Sequence, residues 1–279
     1  MIGQVVETVS TQELYNHLYD LSEGFFTRQS ASQDIRQAQV YLFSAFENLG
    51  LKVENHSYRT DFADNICADI IGEYYPELLV VAGAHYDSRS LDTNNSTSRA
   101  PGAVDNGSGT VAMLEMARVL TQSGLRFANT IRLCVWTGEE QGLLGSDAYA
   151  KKIKAEGADV LAYFNADMTG YQLPGTPITM GMKDKTITEW LLDLSYDITA
   201  TYVPDLPVAL SASCCSDYIS FYNQGYPSIG YFQNAGAASD YPDYHKSTDS
   251  IDKCNFVQMR METQAVLAAI MTFAVPLKA

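Results

Sequence analysis

Four apolar runs of strand length recur along this chain, ELLVVAGAHYD, IRLCVWTGEE, VLAYFNADM and YPSIGYF, with helical spacing in the segments between them. A run that is apolar on both alternating faces belongs inside a sheet covered on both sides, and strands joined through helices pair in parallel. The alternation predicts an α/β fold: a three-layer sandwich with a central mixed, mostly parallel β-sheet flanked by helices. In such sheets the chemistry collects at the carboxyl ends of the strands. Three of the runs end there on polar groups, in AHYD, TGEE and NADM.

The flanking segments complete the pattern. Thr11 is placed to cap a helix through Leu14, Leu18 and Leu21. From Ser32 to Leu49, Ile35, Ala38, Leu42, Ala45, Phe46 and Leu49 follow helical spacing until Gly50 ends the run. LKVENHSY alternates as an exposed strand does, and ICADIIGEY is a more apolar one. GTVAMLEMARVL reads as a buried helix and LLGSDAYAKKIK as another. Further helices are expected near Ile187 to Ile198 and from Phe256 to Ala274.

With no internal repeat and no linker, residues 1–279 are expected to form a single domain. The 46% of apolar residues can build a large core, which excludes a disordered protein. The formal charge of −15 repels phosphate backbones, so no nucleic-acid partner is expected, and it favours a soluble monomer. No uninterrupted apolar run reaches the ~18 residues of a membrane-spanning helix. The N-terminal MIGQVVETVSTQELYNHLYD lacks the basic and apolar regions of a signal peptide. Five cysteines are odd in number and too sparse for a disulfide scaffold. Cys67 and Cys134 lie in apolar, strand-like runs and read as core thiols, whereas Cys214 and Cys215 form an unusual adjacent pair.

Of the four histidines, His17 and His56 read as surface residues. His85 closes an apolar strand, and Asp87, two residues on, projects to the same side. A carboxylate so placed can hold one imidazole nitrogen and aim the other at a metal. Asp105, in APGAVDNGSGT, opens an apolar helix from a glycine-rich turn. It is either a helix cap or a ligand, and with no lysine after the glycines the turn is not a phosphate loop. Glu139 and Glu140 stand side by side at the edge of a core strand, where two like charges are unfavourable unless a cation compensates. Adjacent carboxylates can divide labour, one binding metal and the other holding a water as general base. Asp167 ends a third strand. His245 lies in a polar loop with Asp249 four residues later. Read singly, each of these has an ordinary structural explanation. Together, His85, Asp105, Glu140, Asp167 and His245 are two imidazoles and three carboxylates, a set that could bind two divalent ions. Imidazole with carboxylate favours zinc over magnesium, and cobalt or manganese also fits.

The motifs AHYDS, PGAVDNGSGT, TGEEQGLLGS, NADMTGY and YHKSTD, in this order across residues 84 to 249, are those of a known family. The chain resembles the M28 zinc aminopeptidases, in the branch of secreted bacterial and fungal leucyl aminopeptidases. The resemblance implies the fold of zinc-dependent exopeptidases and two Zn²⁺ per chain. It implies that His85 and Asp167 hold one ion, that Glu140 and His245 hold the other, and that Asp105 bridges them. Glu139 would be the general base, Asp87 would orient His85, and the Asp105–Asn106 peptide would be cis. The activity implied is removal of N-terminal residues from peptides with a free N-terminus, by an enzyme secreted in a mature form.

The same resemblance puts Met168, Tyr231, Phe232, Tyr241 and Tyr244 around the S1 pocket, which favours apolar residues such as Leu, Met or Phe. Asp240 and Asp243 share that loop, and a carboxylate turned into the pocket would favour Lys or Arg instead. There are departures from the family pattern. Asn106 follows the bridging position where many relatives have Asp. In SASCCSDYISF, Ser211 and Ser213 stand where the family carries a cysteine and an aromatic, and Tyr218 replaces a usual His, so the pocket lining is expected to differ. Three alternatives share related folds. A glutaminyl cyclase keeps a single zinc site, whereas His85 is retained here. A binding domain would have lost its ligands, which are all present. A carboxypeptidase or dipeptidase would carry an inserted dimerisation domain, for which this chain has no room.

Overall fold

Three of the helices start where the sequence supplies an acceptor for their free N–H groups. The computed structural model describes residues 1–183, 188–213 and 215–277. After a short helix α1 (Ile2–Val6), α2 (Thr11–Glu23) is capped by Ser10, whose Oγ accepts from Glu13 N at 3.2 Å. The cap is therefore Ser10, and Thr11 is already the first helical residue. Ser32 caps α3 (Gln33–Asn48) by accepting from Ile35 N at 3.1 Å, and Gly50 leaves the helix at a φ of 79°. Helix α4 (Ser108–Gln122) grows directly out of the turn Ala103–Gly107. It is followed by α5 (Leu144–Ala155), α6 (Glu189–Tyr202), α7 (Tyr218–Asn223) and α8 (Phe256–Ala274), the last capped by Asn255. Ile187, where the sequence begins the sixth helix, lies outside the described residues.

Among the described residues, eight strands form one sheet: β1 (Lys52–His56), β2 (Asn65–Ile70), β3 (Tyr75–His85), β4 (Asn129–Trp136), β5 (Asp159–Ala166), β6 (Met180–Lys183), β7 (Val208–Leu210) and β8 (Ser228–Phe232). Their order is β1-β2-β4-β3-β5-β8-β6-β7. The apolar runs β4, β3, β5 and β8 are adjacent and mutually parallel, as their two-sided apolar character requires. β1 and β2 add antiparallel strands at one side. At the other, β6 runs antiparallel to β8 and pairs in parallel with β7.

Strand alternation divides the core in two. Val80, Ala82, Ala84, Leu133, Val135, Ala162 and Phe164 pack with α1, α2, α3, α4, α6 and α8. Leu79, Val81, Trp136, Val160 and Tyr163 face the other way, against Tyr149, Ala150 and Ile153 of α5 and Phe221 of α7. Those are the three layers. Among the described residues no helix is long and apolar enough to cross a membrane.

The cysteines depart from expectation. Cys67 and Cys134 are not core thiols but a disulfide, with Cα atoms 4.1 Å apart. The antiparallel register of β2 on β4 sets the two residues directly opposite each other. Each run looks the same in sequence whether its sulfur is free or bridged, because the pairing is made only by the sheet. Cys254 is free, and Cys214 lies outside the described residues. The bridge closes a loop of 67 residues. By loop-closure entropy it should contribute about 4 kcal/mol. Urea unfolding of the Cys67→Ala/Cys134→Ala chain is expected to show a midpoint lowered to match; an unchanged midpoint would mean the bridge adds nothing.

Candidate metal centre

Parallel neighbours end at the same edge, and this edge collects the polar strand ends. β3 delivers His85 as its last residue, with Asp87 just beyond. β4 ends at Trp136, and the chain then turns through Gly138 at a φ of 71°, where a Cβ would run into the Tyr58 hydroxyl, to present Glu139 and Glu140. β5 ends at Ala166, and Asp167 follows. Asp105 comes from the turn before α4. Its backbone is not helical (φ −110°, ψ 96°) and its peptide bond to Asn106 is cis; the cap of α4 is Gly107. His245 enters from the loop after β8 with a φ of 58°.

These groups converge. His85 Nε2 lies 3.4 Å from Asp105 Oδ1, 3.4 Å from Asp167 Oδ1 and 3.8 Å from Glu139 Oε2. His245 Nε2 lies 3.2 Å from Asp105 Oδ2 and 3.2 Å from Glu140 Oε2. Asp105 thus turns one oxygen to each imidazole. Behind His85, Asp87 is completely buried; its backbone carbonyl is 3.1 Å and its Oδ1 3.5 Å from Nδ1. The same carboxylate accepts from Glu139 N (3.3 Å) and Glu140 N (3.2 Å).

Electrostatics follow from this crowding. Burial works against the Asp105 carboxylate, yet the two imidazoles hold it well below the usual range. Burial pushes Glu140 up to about 8, with Asp105 adding to the push. Burial drives Glu139 well above its ordinary value too; His85 opposes this, and Glu140, Asp217 and Asp167 reinforce it. Burial disfavours charge on His245, but its bonds to Asp105 and Glu140 override that and lift it to about 9. His85 is raised in the same way, the carboxylates Glu139 and Asp167 outweighing its burial.

The donor set fits divalent cations. Glu140 Oε1 and Asp167 Oδ1 are buried without a hydrogen-bond partner, a costly state for a carboxylate oxygen unless a cation meets it. Two groups of three, His85, Glu139 and Asp167, and Asp105, Glu140 and His245, each offer ligand atoms within 4.8 Å of one another. Imidazole nitrogen with carboxylate oxygen suits zinc.

Met168, Ser213, Phe232, Ala238 and Tyr244 line the cavity over these groups. Tyr231 and Tyr241 do not. Tyr231 lies in the core under the sheet, and Tyr241 donates its hydroxyl to Asp249 at 2.8 Å. Strand alternation explains the first: Phe232 faces the cavity, so its neighbour Tyr231 faces away. Asp240 and Asp243 also turn aside, accepting from Ala237 N and the Thr248 hydroxyl. Ser213 donates to Gly236 O at 3.1 Å, closing a loop where the family motif carries an aromatic.

Three residues take parts in the site that their sequence context did not specify. Asp249 grips the Asp105 turn, accepting from Val104 N and Asp105 N, each at 2.9 Å. Its only signal was its place four residues after His245. Asn106 joins that turn to the end of β5: its Oδ1 accepts from Met168 N (3.0 Å) and its Nδ2 donates to Ala166 O (2.9 Å). An ionised Asp could not make the second bond. Tyr244 stacks on His245 with ring centroids 3.6 Å apart. Burial and the nearby Asp105 and Glu140 carboxylates keep its phenol protonated, leaving a hydrogen-bond donor beside the cavity.

Comparison with known proteins gives the following similarities. The model of peptidase family M28 matches residues 65–270. Leucine aminopeptidase 1 of Paracoccidioides brasiliensis (strain Pb03) is 31% identical over 98% of this chain and 73% of its own length. The LapA aminopeptidase of Legionella pneumophila superposes with a TM-score of 0.86 at 23% identity, covering 99% of this chain and 75% of that one. A glutaminyl cyclase of Porphyromonas gingivalis superposes with a TM-score of 0.80 at 19% identity, covering 95% and 99%.

The pKa values predict the behaviour of the metal-free protein. At pH 7 His245 (about 9) and Glu140 (about 8) carry protons that a cation must displace. Zinc uptake at pH 7 is expected to release protons, and affinity should rise as the pH climbs toward 9. Calorimetric titration in two buffers of different ionisation enthalpy measures the release; identical heats in both would contradict these protonation states.

Proposed function

The chain belongs to peptidase family M28 and is a peptidase of the aminopeptidase class, and we propose that it works with two zinc ions and favours apolar N-terminal residues such as Leu, Met or Phe. The observation that carries this is Asp105, whose two oxygens face His85 and His245 from between them. In this reading His85 and Asp167 would hold one zinc, Glu140 and His245 would hold the other, and Asp105 would serve both. When bound, the zinc pair lowers the pKa of the attacking water and polarises the scissile carbonyl.

The remaining work falls to this chain's own residues. Glu139 is the general base, taking a proton from the attacking water and passing it to the leaving amine. Asp87 acts on both partners, holding the imidazole of His85 and the backbone of the turn that carries Glu139. Tyr244 offers its hydroxyl to negative charge developing in the cavity. The apolar preference rests on Met168, Phe232 and Ala238 in the cavity wall and on the local bonds of Asp240 and Asp243, which count against a Lys or Arg preference.

We place this enzyme outside the cytoplasm, as a monomer whose residues 1–279 act as a single domain. The Cys67–Cys134 bridge suits an oxidising compartment, and the charge of −15 opposes self-association.

The test is a set of initial rates on Leu-, Lys-, Gln- and N-acetyl-Leu fluorogenic substrates, with and without a zinc chelator. Chelator-sensitive cleavage of the Leu substrate, slower cleavage of Lys and none of the acetylated one is expected. Cyclisation of an N-terminal Gln without peptide hydrolysis would make the chain a cyclase instead. Glu139→Gln is expected to keep its zinc and lose roughly 10²–10⁴-fold in kcat. Near-normal turnover of that variant would remove Glu139 from the role of base.

A further inference from the structure

Residues 26–32 link α2 to α3 and lie outside the matched residues 65–270, yet they touch each of the strand-end loops around Asp87, Asp105 and Glu139. Arg28 is completely buried and spends its guanidinium on backbone carbonyls. Its Nε donates to Tyr86 O (2.8 Å), its Nη2 to Gly102 O (2.9 Å), and its Nη1 to Leu21 O (3.0 Å) and to Pro101 O. Tyr86 sits between His85 and Asp87, while Pro101 and Gly102 lead into the Asp105 turn. Gly102 has a φ of 51°, and a Cβ there would come within 3.1 Å of Arg28 Nη2. The backbone adds to the lacing: Ser88 N donates to Arg28 O at 3.1 Å and Ala100 N to Phe26 O at 3.0 Å.

Two residues further on, Ser30 is also completely buried. Its Oγ lies 2.9 Å from Asp87 Oδ2 and 2.6 Å from Gln141 Oε1, and it accepts from Gly138 N at 3.0 Å. One hydroxyl therefore ties Asp87 to the turn that carries Glu139 and Glu140. We propose that Arg28 and Ser30 are the positioning residues of the metal centre: Arg28 holds the end of the His85 strand against the Asp105 turn, and Ser30 holds Asp87 against the Glu139–Glu140 turn. This deepens the two-zinc reading and rests on it.

The physical case is one of degrees of freedom. The ligands come from separate loops, and loops drift unless their backbone groups are pinned. Side chains that orient ligands without touching metal set both affinity and rate. Removing the Ser30 hydroxyl would leave Gly138 N–H unpaired in the interior and take a hydrogen-bond partner from Asp87.

The experiment compares the zinc-loaded full chain with Ser30→Ala and Ser32→Ala. Ser32 is on the same segment but caps α3 and bonds Thr27 O, without touching Asp87 or the Glu139–Glu140 turn. Ser30→Ala is expected to keep its fold by circular dichroism, to hold zinc against a chelator about 10–100-fold less tightly and to lose kcat to a similar extent, with KM within about twofold. Ser32→Ala is expected to lower Tm but to change neither zinc retention nor kcat. Equal zinc retention and kcat in Ser30→Ala and wild type, or equal losses in both variants, would overturn the proposal. A wild type that binds zinc but cleaves no aminoacyl substrate would overturn the aminopeptidase reading alone, because zinc retention in Ser30→Ala would still decide the role of Ser30.

Discussion

Negative charge taken out of water is the constraint around which this site is built. Asp105, Glu139, Glu140 and Asp167 meet two imidazoles at one edge of the sheet, where little solvent screens them. The backbone around them is pinned by two further buried carboxylates. Asp87 accepts the N–H groups of Glu139 and Glu140, and Asp249 accepts those of Val104 and Asp105. The two turns that present paired or bridging acids are thus held in the same way, each by an acid that stays behind the ligands. Arg28 adds a completely buried guanidinium. Burial pushes it down to about 10, while Asp249, Asp87 and Asp105 act to keep it protonated.

How much of this was legible follows from what leaves a mark in sequence. The central strands were, because burial on both faces demands unbroken apolar runs in β3, β4, β5 and β8. The acids and histidines at their ends were, because polar groups just past such runs stand out, and the structure brings all of them together. β6 and β7 were not, since four and three residues carry no period that can be recognised. The Cys67–Cys134 pairing was not, because it depends on which strands become neighbours. Arg28 and Ser30 were hidden for another reason. Arg28 bonds only to backbone carbonyls and Ser30 partly to a backbone N–H, and every residue has those groups, so no pattern marks their partners.

The pocket residues show where a family pattern stops being sufficient. Tyr231 and Tyr241 occupy loop and strand positions next to cavity-lining residues, yet one faces the core and the other bonds Asp249. A shift of one residue along a strand exchanges cavity for core. Proximity in sequence therefore locates the neighbourhood of a pocket, and strand parity decides its wall. The same parity gives Phe232 to the cavity and makes the wall apolar, while the acids of the same loop are consumed by local bonds to Ala237 N and the Thr248 hydroxyl.

A cluster of buried acids has to be neutralised by something, and protons and divalent cations compete for that task. In the metal-free chain the protons win near neutral pH, which is the meaning of a Glu140 lifted to about 8 and a His245 lifted to about 9. A divalent ion brings twice the charge to one point and needs the lone pairs those protons cover. The raised proton affinities and the fitness for cations are therefore one electrostatic property met by two kinds of ligand. Glu139 adds the functional consequence. Burial and neighbouring acids raise it too, which favours the protonated form that cannot act as a base. Positive charge placed among its neighbours would favour the ionised form, which on the proposed reading is the form that acts as base.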